Sequence, residues 1–90
     1  MKYRIELKEI TERDIGPSCL FVPDHDAFEM HVSAFFEDIS ELDGVADAQR
    51  EGLTALAFES TLTLAELRDQ IKVFVIRDWN YLRIHSFVKQ

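Results

Sequence analysis

The sequence predicts an α+β sandwich, two helices on one face of a four-stranded antiparallel sheet, and three observations lead there. The N-terminal stretch "KYRIELK" alternates Tyr3, Ile5 and Leu7 with Lys2, Arg4, Glu6 and Lys8, the two-residue period of a half-buried strand. Two later segments space their apolar residues for a helix. Short β-prone runs lie between the helices and after the second, giving the order strand, helix, strand, strand, helix, strand.

The first strand spans residues 2 to 8. A connection over residues 11–25 follows, punctuated by Gly16-Pro17 and Pro23, and it is longer than loops usually are. The first helix is predicted from about residue 26, because Phe28, Val32, Phe35, Phe36, Ile39 and Leu42 share one stripe. Asp43-Gly44 ends it, with Gly44 suited to a left-handed cap. "VADAQ" and "LTALAFE" then read as a hairpin around Arg50-Glu51-Gly52.

Thr63 and Glu66 have the spacing of a capping box, and Leu62 and Leu67 stand where a hydrophobic staple needs them. That start signal favours a helix over the competing strand reading of "IKVFVI" at residues 71–76. Leu64, Leu67, Ile71, Phe74 and Val75 continue its inner face, and Val73 and Ile76 point outward. The closing strand "YLRIHSFV" is predicted to turn Leu82, Ile84 and Val88 inward and Tyr81, Arg83, His85 and Phe87 outward. The arrangement is ferredoxin-like, in a single domain over residues 1–90. It leaves one side of the sheet uncovered, with the first and last strands as neighbours.

Charge narrows the possible functions. The net charge is −7, but residues 24–59 hold ten acids against Arg50 alone, a local −9, and the remainder sums to +2. Such a chain is bipolar and repels phosphate over much of its surface, so nucleic acid is not an expected partner. No apolar run approaches the roughly 20 residues that cross a bilayer, and the alternating N-terminus is unlike a signal peptide. With one cysteine, the expectation is a cytoplasmic protein without disulfides.

"PDHDAFEMH", residues 23–31, is the densest cluster of potential metal ligands. His25 and His31 lie six positions apart, on different sides of a helix, whereas metal ligands must converge on one point. Asp26 with Glu29, or Asp24, instead suits a helix start, where carboxylates meet the positive end of the dipole. Neither a metal nor a cofactor is expected. Cys19 has no Cys-x-x-Cys companion and reads as a small buried apolar residue. Gly16, Gly44 and Gly52 are isolated turn residues and form no phosphate loop.

The open sheet face is the surface with most to offer. Arg4, Tyr81, Arg83, His85 and Phe87 are its expected interface residues, aromatic anchors with flanking charges. The aromatic and basic mixture resembles an RNA-binding sheet, but the RNP signature is missing. The reading is a non-catalytic binding or regulatory module that pairs through this face with itself or another protein. It predicts that Tyr81→Glu with Phe87→Glu abolishes association and leaves the fold intact. A second reading is a small-ligand or enzyme-like site under the 11–25 connection, using Cys19, Asp24 and His25. An acidic antitoxin or immunity-type inhibitor is the third, resting on size and charge.

Overall fold

The computed structural model describes the backbone of residues 1–9, 25–77 and 82–90, and the side chains of these except 74–77. Its elements are β1 (Lys2–Glu9), α1 (His25–Ser40), β2 (Val45–Arg50), β3 (Ala55–Ser60), α2 (Leu64–Arg77) and β4 (Leu82–Lys89). The sheet is antiparallel with order β2-β3-β1-β4. The fold is ferredoxin-like, and the helical reading of residues 71–77 holds. Cys19, Asp24, Trp79 and Tyr81 lie outside the described residues.

One apolar core fills the space between sheet and helices. Tyr3, Ile5 and Leu7 of β1 and Leu56 and Phe58 of β3 meet Phe28, Val32, Phe35, Phe36 and Ile39 of α1 and Leu67 and Ile71 of α2. Each large side chain buried here contributes about 1.5–3 kcal/mol against an entropy cost of similar total size. Tyr3 is fully buried, and its hydroxyl donates to the Leu62 carbonyl at 2.7 Å, tying the central strand to the start of α2.

The helix starts differ from one another. At α2 the capping box forms: the Glu66 N–H donates to Thr63 Oγ1 at 3.2 Å, and the Thr63 N–H returns to Glu66 Oε1 at 3.4 Å. Leu62 packs against the core and Leu67 is buried, as the staple requires. At α1 the expected Asp26–Glu29 box is replaced. The helix begins one residue earlier, at His25, so Asp26 falls within the first turn, and Glu29 pairs with His25 Nε2 at 3.1 Å. After α1 the chain turns at Gly44, whose φ of +84° favours glycine; a Cβ there would also sit 3.2 Å from Thr61 Oγ1.

Both outer strands are bulged. In β2, Ala46 pairs with Glu59 and Gln49 with Ala57, so Asp47 and Ala48 together oppose Phe58, and Asp47 takes φ +53°. In β4, Ser86 pairs with Glu6 and Ile84 with Leu7, which leaves His85 as the extra residue. This bulge overturns the expected facing of the strand's second half. One added residue exchanges inner and outer sides, so Phe87 turns inward to 6% exposure and Val88 turns outward to 49%. Phe87 stands edge-on to both Tyr3 and Phe58, with centroids 6.3 and 6.2 Å away. It is a core aromatic and not an anchor of the open face.

Candidate functional site

No described element covers the sheet face opposite the helices. Its positions follow from strand alternation and register. β1 supplies Lys2, Arg4, Glu6 and Lys8; β3 supplies Ala55, Ala57 and Glu59; β2 supplies Ala46 and Gln49; β4 supplies Arg83, Ser86 and Val88. Leu56 and Phe58 belong to the core, so the apolar part of β3 on this side is the two alanines.

Arg4 sits at the centre. Its Nη1 donates to Glu6 Oε2 at 3.2 Å and its Nε to Glu51 Oε2 at 3.3 Å. The Glu6 hydrogen bond, then the Glu51 one, pushes the guanidinium pKa up from its ordinary value. Ala55, paired with Glu6, is only 2% exposed beside this network. The network joins β1 to the β2–β3 turn and makes the middle of the face polar. A shallow depression of about 350 Å³ opens next to it, lined by Lys2, Asp47, Gln49, Glu51, Glu59 and Gln90.

Across the strands the charge is graded. Asp47, Glu51 and Glu59 occupy the β2–β3 half, whereas Lys2, Lys8 and Arg83 occupy the β1–β4 half. Arg50, the one base of the acidic window, is turned away to tie β2 to α1. It donates to Ser33 Oγ at 3.1 Å and to the Leu53 carbonyl at 2.8 Å, and lies 5.2 Å from the Phe36 ring centroid.

Of the residues expected at the interface, Arg4 and Arg83 are on this face, His85 is the exposed bulge residue at its β4 margin, and Phe87 is in the core. Glu6, Gln49, Glu51 and Glu59 are added to it. Glu6 was legible from β1 alternation, but Glu51 meets Arg4 only through strand register, which the sequence does not print.

At the other end of β1, His25 begins α1 between two carboxylates. Its Nδ1 lies 3.4 Å from Glu9 and its Nε2 3.1 Å from Glu29, and the ring donates to both when protonated. The Glu9 hydrogen bond raises its pKa most, and the charges of Glu29 and Asp26 add to this against a partial loss of hydration. His25 therefore fastens the start of α1 to the end of β1. Among the described residues no group of three His, Cys, Asp or Glu side chains is placed to hold a metal ion. No described helix is long and apolar enough to cross a membrane. No family model, curated protein or solved structure matches the chain.

Proposed function

We propose that the chain is a non-catalytic binding module whose open sheet face pairs with the same face of a second copy. The observation that carries this reading is the graded charge of the face. A two-fold axis running along the strands lays the acidic β2–β3 half of one copy over the basic β1–β4 half of the other, and the reverse. The same patch thus serves both partners, as an isologous interface requires. Ala57 and the half-exposed Val88 supply apolar contact between the charged margins. The pinned Arg4 network loses little side-chain freedom on association.

Charge reversal with mixing tests the reading, using molar mass from light scattering. Lys2 and Glu59 lie at the same level of neighbouring strands and face each other across this axis, so Lys2→Glu should convert a dimer to monomer, and so should Glu59→Lys. Mixing the two variants should restore a dimer, now made of unlike chains. A monomeric parent protein, or variants that keep the parent's mass, would remove the proposal.

A further inference from the structure

A second surface wraps the β4 edge and meets the open face at Val88. A groove of about 550 Å³ runs between α2 and β4 and is lined by Arg68, Asp69 and Lys72 on one side and by Ile84, His85 and Val88 on the other. Its floor is partly apolar, through Ile84 and Val88, and its rim is basic except for Asp69. In an acidic protein this is a local reversal of sign.

Among the described residues, no strand pairs with the outer edge of β4. The Gln90 N–H donates to the Lys2 carbonyl at 2.8 Å. Counting back by twos along the ladder, Val88 and Ser86 also turn their backbone groups toward β1. Phe87 and Lys89 therefore direct their N–H and C=O groups away from the sheet. The Arg68 guanidinium reaches over from α2 and donates to the Phe87 carbonyl at 3.4 Å, a long contact from an exposed side chain. It occupies the position that an added strand's N–H would take.

We infer that the α2–β4 groove binds an acidic peptide in extended form, added as a fifth strand along Ser86–Lys89 of β4, past the His85 bulge. The incoming N–H replaces Arg68 on the Phe87 carbonyl and frees the guanidinium to pair with a peptide carboxylate beside Lys72. Alternate side chains of the peptide then lie toward α2, where carboxylates are favoured, and toward Val88, where apolar groups are.

Charge decides against the other occupants. A second copy pairing β4 to β4 would bring the Arg83 and Lys89 charges of the two strands together, with no acidic side chain in either. The acidic β2 edge of a second copy is cut by the Asp47–Ala48 bulge into runs of two residues, shorter than the Ser86–Lys89 run that β4 keeps beyond its own bulge.

Fluorescence anisotropy with two labelled eight-residue peptides, alternating valine with glutamate or valine with lysine, tests the inference. The glutamate peptide should bind at least about tenfold more tightly than the lysine peptide. Arg68→Glu with Lys72→Glu should weaken it by about tenfold or more. Lys89→Pro removes an outward N–H and no bond to β1, so it should weaken binding similarly with little change in melting temperature. No binding below about 1 mM, equal binding of both peptides, or full binding by Lys89→Pro would each overturn the inference. So would a parent dimer that Lys89→Pro converts to monomer, since the edge would then be taken by a second copy.

Discussion

The two outer strands, β2 and β4, carry the same irregularity and are held in place by different forces. Each has a bulge in its middle. In β4 the bulge serves packing: it delivers Phe87 to Tyr3 and Phe58, and it closes the core at the far side of β1. In β2 the strand gives the core only the partly buried Val45 and Ala48, and it is secured to α1 by Arg50. A bulge therefore has no fixed energetic meaning. Its worth depends on which side chain it redirects and how much apolar surface that side chain can bury.

Substitution at neighbouring positions of β4 gives the largest contrast. Phe87→Ala should cost about 3–5 kcal/mol, whereas Val88→Ala should stay within about 0.5 kcal/mol of the parent, as measured by urea unfolding. Equal effects would mean that the bulge does not exchange the two sides. The double substitution expected from sequence to spare the fold, with Phe87→Glu as one half, should instead unfold the domain.

A smaller effect should mark β2. Arg50→Ala removes two hydrogen bonds and a cation–π contact at an exposed site, and should cost about 1 kcal/mol in the same experiment. A loss as large as that of Phe87→Ala would show that β2, too, is fixed chiefly through its own side chains and not through β3.

The smallest expected effect depends on pH and lies away from both outer strands. The folded-state pKa of His25 is raised above its unfolded value. Its stabilising contribution is therefore complete below the ordinary histidine value and fades as pH rises through the folded value. His25→Ala should lower the melting temperature at about pH 5.5 and leave it unchanged near about pH 8.5. A difference of equal size at both values would mean that the ring acts by packing on Phe28, 6.1 Å away between centroids, and not by charge.

The comparison also explains what could be read from the sequence. Alternation in "KYRIELK", the stripe from Phe28 to Ile39 and the Thr63–Glu66 cap are local patterns, and the structure contains all three. The facing of "SFVK" is not local. It depends on where β4 loses step with β1, and nothing in residues 82–89 alone announces that His85 is the extra residue. The Arg4–Glu51 contact is hidden for the same reason, being a product of register between three strands. Strict alternation placed Arg83 correctly because it precedes the bulge, and misplaced Phe87 because it follows it.

The pairing of β1 has a consequence for the order of folding. β3 meets β1 from residues near 60, but Tyr3 finds its other neighbour at Lys89, 86 positions further along (89 − 3). Helices and the β2–β3 hairpin close short loops and form early, whereas this last pairing closes nearly the whole chain. During synthesis, β1 emerges first and waits longest, with one flank unpaired until β4 is made. The central strand of the finished sheet is thus the one most exposed to wrong partners beforehand. The alternating Lys2, Arg4, Glu6 and Lys8 are charges of the kind that discourage edge-to-edge association during that interval.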